Sequence, residues 1–295
     1  MNKRMDRSEL GFKIVAYFLL TLFAVACLYP FVYAISCSIS GKAAVDSGAI
    51  ILWPVNVQFL AFTEIFQRST FWLCYANTLF LTFFGTLFSV LVSIIGAYAL
   101  SKERLPFGRA LNFLLVFTMW FSAGIFATKF FYDLTNNVFK GMGIFDEKWM
   151  IVIAMSLNAY NIVLLRNGFR GVPKEIEEAA LVDGANEFQI ASKVYTPMSK
   201  ATIATVALFY GIARWNGYFW YAQVITTEEQ IPLQVYIRNF LNTYISGTEQ
   251  YDLLPYAMQS LFYCMIVAAI IPIIIIYPFI QKYFAAGVNL GGVKE

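Results

Sequence analysis

Six stretches of this chain are apolar for long enough to cross a lipid bilayer as helices. A span needs roughly 20 mostly apolar residues to cover about 30 Å of hydrocarbon at helical rise. Runs of that kind lie at residues 14–39, 75–100, 110–128, 149–165, 201–225 and 258–280. Composition agrees with them: only 13% of the 295 residues are charged, where soluble domains carry about 25%. The fourth run is the weakest, since Asn158 and Asn161 interrupt it; a polar cavity or a neighbouring helix would satisfy either. The basic N-terminus ahead of the first run has the form of a signal peptide's leading region. That run is about 25 residues long and lacks a small-residue cleavage site, so it reads as a retained span, one able to lie at the periphery of the other five. The expectation is an all-α, polytopic membrane protein with six transmembrane helices: a tail at 1–13, a membrane domain at 14–281 and a second tail at 282–295.

Basic residues set the orientation, because Lys and Arg are retained on the cytoplasmic side. Fourteen of the 21 basic residues fall on the side of the N-terminus, six on the other, and Arg214 lies inside the fifth run. Both termini are therefore expected in the cytoplasm, together with the loop at 166–200. The loop carrying Glu228, Glu229, Glu249 and Asp252 then faces outward.

Several chemistries are excluded early. The chain has no His, which removes Ser-His-Asp and Cys-His catalysis and His-ligated metals. Cys27, Cys37, Cys74 and Cys264 lie in or beside apolar runs without a C-x-x-C spacing, so they read as packed or lipid-facing thiols. A net charge of +3 with scattered basic residues offers no stripe for nucleic acid.

The loop at 166–200, RNGFRGVPKEIEEAALVDGANEFQIASKVYTPMSK, is a polar interruption with internal order. Pro173 suits a first helical position, and Glu175, Glu177 and Glu178 complement the positive end of a helix dipole. Ile176, Ala179 and Ala180 share a face, and Gly184 is placed to end the helix in a left-handed conformation. A second short helix, at 186–195, puts Phe188, Ala191 and Val194 on one face before Thr196-Pro197 breaks it. Helices of about ten residues are marginal alone in water. Either they dock on a protein or they lie on the bilayer surface, and the acids disfavour an anionic leaflet.

These residues resemble the EAA motif of ABC-importer permeases: Glu178-Ala179-Ala180, Gly184 four residues on, then Val194-Tyr195-Thr196-Pro197 in the place of I-x-L-P. Val replaces Ile conservatively, whereas Thr196 departs from the usual Leu. RWNGYFW, IPLQVYIRNFL, LYPFVYAISCSIS and YPFIQKYFAAGVNLGGVKE resemble the carbohydrate-importer permeases, in particular the branch handling oligosaccharides and polysaccharide fragments. The chain is similar in place to the maltose permease subunit without a large extra periplasmic loop. The resemblance implies a type I ABC importer permease in a bacterial plasma membrane. It implies a second, different permease subunit, a cytoplasmic ATPase dimer and an extracytoplasmic binding protein as partners. Glu178, Ala179, Ala180, Gly184, Phe188 and Pro197 would then fit an ATPase cleft. No G-x-x-x-x-G-K-[ST] loop occurs, so ATP and Mg would be bound by that partner and no cofactor by this chain.

Sugar is held by amide and guanidinium groups on its hydroxyls and by rings against its C–H faces. Within the spans, Asn158, Tyr160 and Asn161, with Arg214, Trp215, Asn216 and Tyr218, combine such groups. Arg214 at membrane depth is the sharpest candidate for a cavity or a subunit contact. Helix–helix bonding by Asn and interfacial placement of Trp and Tyr account for the same residues without a ligand. Gly85, Gly96 and Ala97 read as close-packing positions. An ion-gradient-driven transporter or channel is the alternative function, though no Asp or Glu lies inside the six runs. An intramembrane enzyme finds no support in any nucleophile motif.

Overall fold

The computed structural model describes residues 7–121, 124, 130, 133–139, 141, 147–245 and 254–288. The described residues are helical, without strands. Helix α1 is Arg7–Ser38, α2 Lys42–Asp46, α3 Leu60–Gln67, α4 Ser69–Ser101 and α5 Gly108–Trp120. Then come α6 Glu147–Ala154, α7 Ala159–Arg170, α8 Lys174–Val182, α9 Glu187–Ile190, α10 Lys200–Trp215, α11 Phe219–Val224, α12 Leu233–Ile245 and α13 Met258–Val288.

Three helices are by length and composition able to cross a membrane: Glu9–Ser38 within α1, α4 whole, and Met258–Pro278 within α13. The fourth run is a broken span, α6 and α7 bent by 50°. The third run begins as the 13-residue α5; most of its residues after Phe121, like the chain ends at 1–6 and 289–295, lie outside the described residues. The fifth is divided into α10 and α11 by Asn216, Gly217 and Tyr218. The reason lies in packing: an added Cβ at Gly217 would meet the Tyr221 ring at 2.4 Å, so the chain turns there and lays Tyr221 against the end of α10.

The chain forms two compact units. One comprises residues 1–71 and 237–274, the other 72–236 and 275–295. In the first, α1 has no buried residue in its most apolar window, as a helix in lipid should, until Cys37 joins Ala44, Val45, Ile50 and Ala257 in a small core. In the second, one core gathers Ala97, Ile162, Leu165, Phe169, Val206 and Tyr210. Another gathers Leu81, Ile151, Val152, Tyr221, Val224 and Val235.

The break between α6 and α7 organises the second unit. A helix end in hydrocarbon leaves carbonyls without water, each costly unless paired. Arg214, only 3% exposed, reaches from α10 and donates to the carbonyls of Ile151 at 3.2 Å, Val152 at 3.4 Å and Met155 at 2.6 Å, and to Ser89 Oγ at 3.2 Å. One turn earlier on α10, the Tyr210 hydroxyl accepts the Asn158 amide at 3.1 Å and bonds Ser93 Oγ at 2.7 Å. Gly85 explains the fit on α4: an added Cβ would sit 3.0 Å from Arg214 Nε. Gly85, Ser89, Ser93 and Ala97 thus form one narrow face of α4 at i, i+4 spacing. Gly96, expected to pack closely, has no neighbour within 4 Å of an added Cβ; it falls one residue off that face.

Arg214→Met should cost about 3 kcal/mol by orphaning the Val152 and Met155 carbonyls, the Ile151 carbonyl keeping the Met155 amide. The expected result is a lower midpoint of thermal unfolding in detergent, with Arg214→Lys falling between the two.

Candidate functional site

The loop that follows α7 is built of two short helices set on a Gly corner. Lys174 to Val182 form α8 with Pro173 before it and Glu175 and Glu177 in its first turn. Gly184 takes φ +80 with open space around a would-be Cβ, so its glycine is required by backbone conformation and not by crowding. Asn186 then caps α9 through a reciprocal pair with Gln189, each side chain accepting the other's amide at 2.9 and 3.0 Å.

The expected break at Thr196-Pro197 does not occur there. After Ile190 the helix widens into a π-turn, Ala191–Tyr195, and runs on through Met198. A wider turn tolerates the missing amide of Pro197, and Thr196 Oγ1 donates back to the Ala191 carbonyl at 2.8 Å. This widening also undoes the expected face of Phe188 with Ala191 and Val194: Val194 packs on the core, while Phe188 is 81% exposed. On α8 the Ala pair is divided, Ala180 against the core and Ala179 outward beside exposed Glu178. Val182, 88% exposed, is a second outward apolar side chain, one that the motif residues alone do not indicate.

On its other side the loop is tied to the residues that end and follow α4. Lys102 Nζ lies 2.7 Å from Glu177 Oε1. Arg104 pairs with Glu187, whose other oxygen accepts the Tyr98 hydroxyl at 2.6 Å. The Tyr195 hydroxyl donates to Glu177, and its ring meets those of Tyr98 and Phe169 edge-on at 5.1 and 5.7 Å. Burial pushes the Glu177 carboxyl upward, but the bonds from Lys102 and Tyr195 outweigh it and hold the group below its ordinary value. Burial and the bond to Glu177 push the Tyr195 phenol up. No sequence motif marks Lys102, Arg104 or Glu187, and Tyr195 fills the unspecified position of the motif; the charge clusters at 102–104 and 174–187 are the available signal.

The seven residues put forward for a sugar path separate into two sets. Arg214, Asn161 and Trp215 are buried: Arg214 serves the broken span, and Trp215 stands edge-on to Tyr75 at 5.9 Å. Asn158, Tyr160, Asn216 and Tyr218 are exposed. Asn158 caps α7, accepting the Asn161 amide at 3.1 Å, and Asn216 donates to the Ile212 carbonyl at 3.0 Å. At the other end of the second unit, Glu147, 3% exposed, starts α6 and accepts the Thr226 and Thr227 amides at 2.9 and 3.0 Å. Sequence reading passed over it, since it precedes the apolar run. Among the described residues no group of three or more Cys, Asp or Glu is placed to hold a metal.

Comparison with known proteins gives one answer at every level. The model of the binding-protein-dependent transport system inner membrane component family matches residues 79–290. A polygalacturonan/rhamnogalacturonan transport system permease of Bacillus subtilis is 34% identical over 96% of this chain and 98% of its own length. The maltodextrin transport system permease of the same species is 25% identical over 96% of each. A chain from the crystal structure of a bacterial ABC transporter that imports the acidic polysaccharide alginate is 40% identical, with TM-score 0.83 over 96% of this chain and all of that one. The chain therefore belongs to the binding-protein-dependent transport system inner membrane component family and has the fold of an ABC importer permease subunit.

Proposed function

We propose that this chain forms half of the membrane pathway of an ATP-driven importer for acidic oligosaccharides. Its partners would be a second, different permease subunit, an extracytoplasmic binding protein and a cytoplasmic ATPase dimer that holds ATP and Mg. Both termini and the loop at 166–200 then lie in the cytoplasm. The observation that carries the reading is the pair α8 and α9: it presents Glu178, Ala179, Val182 and Phe188 outward while its inner side is fixed to the core. Exposed apolar side chains on a rigid, acid-bearing platform suit a protein cleft better than an anionic leaflet. Closure of the ATPase around this platform would bias the membrane helices between two arrangements.

Acidic sugars are favoured by the relatives: alginate for the crystal structure at 40% identity, and polygalacturonan, a uronic acid polymer, for the Bacillus permease. Within the chain, Asn158, Tyr160, Asn216 and Tyr218 supply the amides and rings open to a sugar. Arg214 is removed from that set, because its guanidinium is spent on backbone carbonyls.

Two experiments test this. In membranes holding the complete importer, Gly184→Val, which forces a β-branched residue to positive φ at about 1–2 kcal/mol, and Glu178→Lys should each lower ATPase copurification and ATP-driven uptake. Unchanged copurification and uptake in both variants would refute the docking role. Uptake of an oligogalacturonate or oligoalginate should exceed that of a neutral maltodextrin of equal length by about tenfold or more; equal rates would refute the acidic preference.

A further inference from the structure

We propose that Lys102 and Arg104 clasp the coupling helices to the end of α4, and that Lys102 thereby sets how much substrate is moved per ATP. This rests on the coupling reading of α8 and α9 given above.

The helices need such a tie. Beside α8 lies an open cleft of about 590 Å³, lined by Lys102, Glu103, Arg104, Arg170, Lys174 and Glu177 among others. Apolar packing holds the platform on α7 and α10, and on α4 at Ala97 and Tyr98, through Phe169, Ile190 and Tyr195. Across the cleft it is ionic contacts that reach α8. Without them, part of a push on α8 would be absorbed by movement into this space, leaving only the Tyr98–Tyr195 and Ala97 contacts to carry it to α4.

The ties are of unequal quality. Lys174 and Glu103 pair at 2.9 Å but are 69% and 81% exposed, so solvent and salt weaken them. Lys102 is different: its side chain is 10% exposed. Its ammonium sits over the Tyr98 ring at 4.4 Å and the Tyr195 ring at 4.0 Å and 2.7 Å from Glu177. One ring belongs to α4, the other to the end of the π-turn, and the carboxylate to α8. A desolvated cation between two rings and a carboxylate joins three elements at one atom. Arg104 adds the second helix, reaching Glu187 at the start of α9, and Tyr98 returns that carboxylate to α4. Both short helices are thus held by α4 and the three residues after it, and α4 is also the helix whose Gly85 face carries Arg214.

The test uses the complete importer in lipid nanodiscs and proteoliposomes, with an oligogalacturonate as substrate. Lys102→Met should raise amide hydrogen exchange across residues 174–190 about tenfold and lower the substrate imported per ATP hydrolysed about tenfold. Lys102→Arg, which keeps the charge, should recover most of both. Unchanged exchange, an unchanged yield per ATP, or Lys102→Arg as defective as Lys102→Met would each overturn the clasp. Should Lys102→Met not assemble, Glu177→Gln, which removes the carboxylate 2.7 Å from Lys102, decides by the same two readouts. A wild-type chain that retains no ATPase on purification would overturn the coupling reading instead, and the exchange measurement would still decide whether Lys102 holds the helices.

Discussion

A broken helix in hydrocarbon must find partners for its loose backbone groups inside the protein, and this fold is arranged around that requirement. Water cannot satisfy the carbonyls of Val152 and Met155, so Arg214 does, adding a second bond to the Ile151 carbonyl that the Met155 amide already reaches. A buried guanidinium would itself be costly, but three carbonyls and the Ser89 hydroxyl give its donors acceptors in a fixed fan. Its position fits closely against a glycine at 85 and takes the Ser89 hydroxyl of α4 as an acceptor. Tyr210 completes the joint from the other side, taking the Asn158 amide at the start of α7. The bend of 50° is therefore a held shape with named partners on α4 and α10.

The same two helices bear on the loop after α7. The core that contains Tyr210 also contains Phe169, Ile190 and Tyr195, and the end of α4 holds Glu177 and Glu187 through Lys102 and Arg104. Displacement of α8 and α9 thus meets α4, α7 and α10 directly. Those are the helices that form the joint at the broken span and place Asn158 and Tyr160 on the exposed side. A two-state change in the membrane can be driven from the loop through packed contacts, with no long-range signal needed.

Much of this was legible in the residues. Apolar length alone located α1, α4 and α13, and the two Asn residues marked the bend in the fourth run, while the division of the fifth went unmarked. The corner at Gly184 and the start of α8 followed from backbone preference and charge at a helix end, which are local rules. What escaped was long-range pairing. Arg214 read as a residue of a cavity or a subunit contact because a lone Arg in an apolar run announces cost without naming its partner; the carbonyls it bonds lie about sixty residues away and carry no sequence signature. Thr196-Pro197 read as a stop because a π-turn cannot be seen in composition. Phe188 was placed on a packing face by a 3.6-residue period that the widened turn does not keep.

The central claim, that the outward side of α8 and α9 enters an ATPase cleft, is tested most directly by single cysteines crosslinked to the partner. With the complete importer in membranes, Val182→Cys and Phe188→Cys should form adducts with the ATPase, and Ala180→Cys, which faces the core, should not. Crosslinks from Ala180 in preference to the other two, or no adduct from Val182 and Phe188 in any nucleotide state, would contradict it.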